Sequence, residues 1–224
     1  MTSVVRIQYN RQVKLTGVIA DIIDSRSIED REAFQRLLQR VLGELNARSR
    51  AAIASPYTVT IGDEFQALHR DFSRVLADAV YLTWRIHPVR IRVAVAYDEL
   101  WTDLNEEAAI GMDGPVFHRA RELLDSLKPL DSTVVQIACD ASVCGLVNPA
   151  LMLVSEGLAS WSPTTIGTLS AMLDGLSVKE TSPRVGVSDR AVYKVIATHG
   201  LAHHRDLLCA AAAELGRWAE AADG

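Results

Sequence analysis

Apolar and polar positions alternate along the chain in two rhythms, one with period two and one with period three to four, and these predict the elements. Residues 15–24 (LTGVIADIID) form a short run rich in Val and Ile that ends in acids. It reads as a strand buried on both faces. Ser27 stands where a helix would be capped, with Asp30 placed to close a capping box. Phe34, Leu37, Leu38, Val41, Leu42 and Leu45 then follow helical spacing, which predicts an amphipathic helix reaching Arg48. Residues 56–61 (PYTVTI) and 64–69 (EFQALH) read as two strands of a hairpin whose tip is Gly62-Asp63. Asp71 opens a second helix, with Phe72, Val75, Leu76, Ala79, Val80 and Trp84 on one face and Pro88 as its stop. Residues 89–97 (VRIRVAVAY) alternate as a strand, Arg90 and Arg92 facing away from Ile91 and Val93. Gly111 to Gly114 make a loop, and Pro115 suits the first turn of a helix that Pro129 closes. Residues 134–139 give one more strand.

The order is strand, helix, hairpin, helix, strand, helix, strand. It contains β-α-β-β-α-β, the split pattern of ferredoxin-like and palm domains. The expected class is α+β, with helices on one face of an antiparallel sheet. After residue 140 the pattern is helical only. The predicted organisation is a flexible lead (1–14), a palm domain (15–145), a connecting helix (146–161) and a small all-helical domain (162–224).

That last segment has the layout of a helix-turn-helix. Ile166, Leu169, Met172 and Leu173 mark one helix, and residues 177–185 a second. Gly186 makes the turn and Ser188 caps a third helix that Gly200 ends. Val185, Val187, Val192 and Val195 are the expected small core. In a DNA-binding reading the third helix enters the major groove. Its outward candidates are Asp189, Arg190, Tyr193 and Lys194, with Arg190 suited to a guanine edge and Lys194 to phosphate. Against this, residues 156–224 carry six Lys/Arg and eight Asp/Glu, a net of −2. Pro183 also sits inside the second helix. The competing reading is a helical bundle for dimerisation or partner contact. The final amphipathic stretch, with Leu207, Leu208, Ala211, Leu215 and Trp218 on one stripe, reads as a packing helix.

Composition adds limits. The 224 residues are 49% apolar and 23% charged, ordinary for a globular chain. The net charge of −5 argues against unspecific attraction to nucleic acid, so any such role needs a local surface. Three cysteines, Cys139, Cys144 and Cys209, suggest reduced thiols and a cytoplasmic location. No apolar run approaches the ~20 residues that span a bilayer, and the first residues do not read as a signal peptide.

The candidate chemistry lies in two acids. Asp21 stands inside the apolar first strand, where an unpartnered carboxylate is costly. Asp63 stands at the hairpin tip, and in this topology the first strand lies beside the hairpin. Two clustered carboxylates repel unless a proton or cation intervenes. Mg²⁺ takes oxygen ligands from one or two carboxylates, substrate phosphates and water. Turn chemistry at Gly62-Asp63 and a strand-end cap at Asp21 are the bland alternatives.

The stretch GVIADIIDSR resembles the first metal-binding motif of class III nucleotidyl cyclases, and TIGDEFQAL their second, also similar to GGDEF cyclases. AIGMDGPVFHRARELL resembles their third. The pairing of ADI-x-x-SR with GDEFQ, followed by a helix-turn-helix, resembles the SatD family of bacterial proteins. The resemblance implies that Asp21 and Asp63 hold a metal, that the Ile22 carbonyl reaches it, and that Arg121 is the late arginine of the third motif. Arg26 belongs to the SR signature, and Asp24 and Glu64 are additional acids near the site. A homodimer is implied as well. The departures are Val59 at the base-reading lysine position, Phe117 at the asparagine position, and Ile61 in place of a first glycine. No catalytic residue is assigned. The readings that remain are a regulator binding nucleotide, Mg²⁺ and DNA; a Mg²⁺-dependent nucleotidyltransferase or cyclase; and a non-catalytic interaction module.

Overall fold

The structure, a computed structural model, describes residues 13–223. Its elements are β1 (Val13–Ile22), a 3-10 turn (Ser25–Ser27), α1 (Arg31–Arg48), β2 (Ile53–Val59), β3 (Glu64–His69), α2 (Val75–Ile86), β4 (Ile91–Leu100), α3 (Pro115–Leu127), β5 (Val134–Ala138), α4 (Ala141–Ser160), α5 (Pro163–Leu173), α6 (Val178–Val185), α7 (Asp189–His199) and α8 (Leu201–Asp223). The sheet order is β2-β3-β1-β4-β5. The first four strands are antiparallel to their neighbours, and β5 runs parallel to β4. This is the ferredoxin-like β-α-β-β-α-β sheet of a palm domain with one strand added. Of the expected lead, residues 1–12 lie outside the described residues, while Val13 and Lys14 already belong to β1.

Several boundaries differ for local reasons. Ser27 does not cap α1; its hydroxyl donates to the Asp24 carbonyl and closes the 3-10 turn. The cap is Asp30, whose carboxylate accepts from Ala33 N at 2.8 Å. The hairpin connection is wider than a two-residue tip, because Thr60 N donates to Glu64 O and Glu64 N to Ile61 O. Asp71 accepts from Ser73 N in a turn, and α2 begins only at Val75.

Helices cover both faces of the sheet, not one. Val18, Ala20 and Ile22 of β1 join α1 and α2 in one core, with Leu38, Leu45, Phe72 and Val80. Leu15 and Ile19 face the other way and join α3 through Val116, Phe117, Ala120 and Leu124. This explains why β1 is buried from Leu15 to Ile22 without a polar face.

The C-terminal helices share the first core. Ile166, Leu169, Leu201, Leu208 and Leu215 belong to the same buried cluster as α1 and α2. At Gly167 a Cβ would lie 2.6 Å from Trp84 of α2, so α5 rests directly on that helix. Of the four valines expected as a separate small core, only Val192 is fully buried. Ser177 caps α6 in a capping box with Glu180, and Ser188 caps α7. α4 starts at Ala141 and runs through residue 146 without a break.

Two expectations from composition are corrected. Cys139 and Cys144 form a disulfide, because the reversal from β5 into α4 brings their Cα atoms to 5.5 Å. Cys209 is free and exposed. Among the described residues α4 is also long and apolar enough to cross a membrane, by length and composition. Here its Leu151, Val154 and Leu158 are buried in the core.

Candidate functional site

Three charged residues stand in a row across the sheet. In register, Asp21 of β1 lies opposite Glu64 of β3 on one side and Arg92 of β4 on the other. Directly opposed residues of antiparallel strands share a face, and for this row it is the face covered by α3. Arg92 donates to Asp21 at 3.0 Å and also to the carbonyls of Lys128 and Leu130, each at 3.1 Å. These bonds tie the row to the segment after α3. Arg121, on α3, pairs with Glu64 at 2.7 Å.

Asp63 comes to the same end of the sheet. Its carbonyl accepts from Ile22 N at 3.2 Å. It also borders a small crevice with Ser25, Arg31 and Gln35. Burial pushes the Asp21 carboxyl above the ordinary carboxylate range; Arg92 works against that, and Asp63 and Glu64 push it further. The acid directly facing Asp21 is therefore Glu64, with Asp63 one residue away at the loop. Asp24 adopts a left-handed conformation, φ 52°, and pairs with Arg90 at 2.9 Å. Arg26 lies exposed in the 3-10 turn, with no hydrogen bond or ion pair among the described residues.

Sequence reasoning missed Arg92 as part of this group. Its alternation with Ile91 and Val93 was legible, but the face it points to carries α3 and not solvent. Lys128 was missed too: Glu64 and Asp21 both act on its ammonium, after the dominant Asp125. Phe117, at the position of a cyclase asparagine, is core, 8% exposed against the sheet. The Gly111–Gly114 loop lies at the far end of α3 from Asp21, where Gly114 abuts Glu99 and Leu100.

Asp21, Asp63 and the Ile22 carbonyl are hard oxygen donors of the kind Mg²⁺ accepts. Among the described residues, no group of three or more His, Cys, Asp and Glu side chains is arranged to hold a metal. Arg92 already neutralises Asp21, so a dication there would share that carboxylate with the guanidinium.

On α7, Arg190, Tyr193 and Lys194 form one exposed strip, with Tyr193 64% exposed. Asp189 does not join them. Its carboxylate accepts from the Ser182 hydroxyl and locks α7 against α6.

The family model described as the SatD family matches residues 15–182, which ends within α6 and leaves out α7 and α8. No curated protein matches the chain. Solved structures similar to it include two of a bacterial light-regulated adenylyl cyclase. One has 14% identity and a TM-score of 0.42, covering 60% of this chain and 45% of that one. The other has 14% identity and a TM-score of 0.41, covering 57% and 77%. The guanylyl cyclase Cya2 is similar at 12% identity with a TM-score of 0.40, covering 57% and 75%. This chain thus spans less than half of the first of these.

Proposed function

We propose, from the premise that this chain belongs to the SatD family, that it is a regulator whose palm domain binds a nucleotide with Mg²⁺ and whose helix-turn-helix contacts DNA. The observation that carries the palm half is the convergence of Asp21, Asp63 and Glu64 at one sheet end, beside Arg92, Arg121 and Lys128. Carboxylates would hold the cation, and the basic residues would face the phosphates. The proposed metal donors are Asp21, Asp63 and the Ile22 carbonyl, with Asp24, Arg26, Glu64 and Arg121 as further metal or phosphate contacts. The exposed strip of Arg190, Tyr193 and Lys194 supports the DNA half. A homodimer in the cytoplasm would pair two such strips.

A second reading is favoured by the Asp21–Arg92 ion pair. A guanidinium that already satisfies the buried acid suits a fold kept as a non-catalytic interaction module. A nucleotidyltransferase or cyclase is the third reading, weakened by Val59 and Phe117.

Titration calorimetry with ATP and GTP, with and without Mg²⁺, tests the first. Nucleotide binding that needs Mg²⁺ and is lost in Asp63→Ala is expected. No binding by the unmodified chain would leave the module. Pyrophosphate release would select the enzyme. Duplex binding that weakens with salt and drops in Arg190→Ala supports the DNA half.

A further inference from the structure

On the sheet face opposite the Asp21 row, a cavity of about 430 Å³ opens between the palm helices and the helix-turn-helix. α1 contributes Glu44 and Arg48, and α2 contributes Tyr81, with Arg74 at its N-cap. Asp174 comes from the end of α5 and Arg184 from α6. Its volume lies within the range of small-molecule sites.

The charges in it are unevenly satisfied. Asp174 Oδ1 accepts from Arg48 Nη2 and from Arg74 Nη2, the latter at 2.8 Å. Glu44 is held by Arg85 and by the Tyr81 hydroxyl, so it is not available to the cavity's other arginines. Arg48 Nη1 and Arg74 Nε are buried and make no hydrogen bond. Arg48 is fixed over the Tyr81 ring, 3.9 Å from its centroid. Arg184 has no hydrogen bond or ion pair among the described residues, although Glu180, one turn earlier, acts on it electrostatically. Buried guanidinium nitrogens normally find an acceptor. Arg48 Nη1 and Arg74 Nε are turned away from the cavity, and Arg74 Nη2 also lies 3.6 Å from Asp78 Oδ1. The exposed parts of these two side chains and the exposed Arg184 nevertheless border the same cavity and present guanidinium donors of the kind that match phosphate oxygens.

We propose that this cavity binds a small phosphate-bearing anion, a phosphate ester or diphosphate. Its oxygens take donors from Arg48, Arg74 and Arg184, with Asp174 remaining as the shared counter-charge of the first two. Such a ligand joins α1 and α2 to α6, the helix immediately before the turn that sets α7. Occupancy would thereby fix the orientation of the exposed α7 strip relative to the sheet. This site does not rest on metal or nucleotide binding at Asp21.

The test uses the full chain and inorganic pyrophosphate as probe, in EDTA so that no dication serves the Asp21 row. Calorimetry should show saturable binding that falls at least tenfold in Arg184→Gln. The unliganded melting temperature of that variant should change little, because Arg184 makes no hydrogen bond or ion pair among the described residues and loses only the solvent-exposed attraction of Glu180. Asp63→Asn should bind pyrophosphate like the unmodified chain. Absence of binding by the unmodified chain overturns the proposal, as does unchanged binding by Arg184→Gln. Loss in Asp63→Asn with retention in Arg184→Gln overturns it too and assigns the anion to the Asp21 row. Duplex DNA binding that depends on Arg184 while pyrophosphate fails to bind overturns it in favour of a backbone contact.

Discussion

Arg92 Nη1 donates to both carboxylate oxygens of Asp21, at 3.0 and 3.3 Å, while both side chains are 11% exposed. Removing the guanidinium alone leaves a buried acid without its partner. Arg92→Met should therefore cost about 3 kcal/mol of stability at neutral pH. The sign with pH follows from Asp21, whose folded pKa is raised. Its favourable contribution is present below 3.8 and is lost as pH rises through the raised value. Losing Arg92 removes the influence that lowers that pKa, so the penalty in the variant should shrink on acidification. Urea unfolding at pH 4 and pH 7 checks this; a loss below 1 kcal/mol at pH 7 would show that the pair is not needed.

The seat of α5 on α2 is set by Gly167. A Cβ there would lie 2.6 Å from two atoms of the Trp84 indole and 2.9 Å from Val185 Cγ1. Helix propensity favours alanine over glycine by about 1 kcal/mol. Overpacking against the half-buried Trp84 indole costs about 1–3 kcal/mol. Gly167→Ala should thus be net destabilising, and Trp84 fluorescence should shift as the helices part. An unshifted spectrum with a raised melting temperature would contradict this packing.

Gly114 shows that the loop before α3 is structural. Its φ is 155°, and a Cβ would meet the Glu99 carbonyl oxygen at 2.6 Å and Trp101 N at 2.9 Å. Both are backbone atoms, and Trp101 N is committed to Asp113 O at 2.9 Å. Gly114→Ala should cost about 2 kcal/mol. It should leave ligand binding at the Asp21 row intact, since that row sits at the other end of α3. Calorimetry on the folded variant tells stability from binding.

Much of this arrangement was legible locally. Pro115 at the start of α3, Ser188 before α7 and the apolar run of β1 each carry their signal within a few residues. What was not legible depends on register and on which face a helix chooses. The topology and the resemblance place Asp63 near Asp21, but only the register shows that Glu64 is the acid directly opposite. The alternation turns Arg92 away from Ile91 and Val93, but nothing in its own strand says that α3 crosses that side. The Cys139–Cys144 disulfide depends on a tight reversal that composition does not encode. The arginine cavity draws residues from α1, α2 and α6, far apart along the chain.

His69 and Asp78 give the sharpest dependence on pH. Both are fully buried between β3 and α2, with Nε2 and Oδ2 3.9 Å apart. Burial pushes His69 down to about 4. It pushes Asp78 up to about 6, against the Ser49 hydroxyl and the Arg74 and Arg48 charges. His69 is depressed, so its contribution is present above 6.5 and is lost as pH falls toward 4. Asp78 is raised, so its contribution is present below 3.8 and is lost as pH rises through 6. The two slopes oppose each other across that window, and the contribution of this pair to the pH profile should be shallow. Asp78→Asn leaves the histidine alone, and stability should fall by about 3 kcal/mol from pH 6.5 to pH 4, at about 1.4 kcal/mol per unit. His69→Gln leaves the aspartate alone, and stability should rise by about 3 kcal/mol from pH 6 to pH 4. Urea midpoints at half-unit steps measure both slopes relative to the unmodified chain. Opposite signs follow only if each group is buried neutral; parallel profiles would mean that one of them keeps its charge inside the fold.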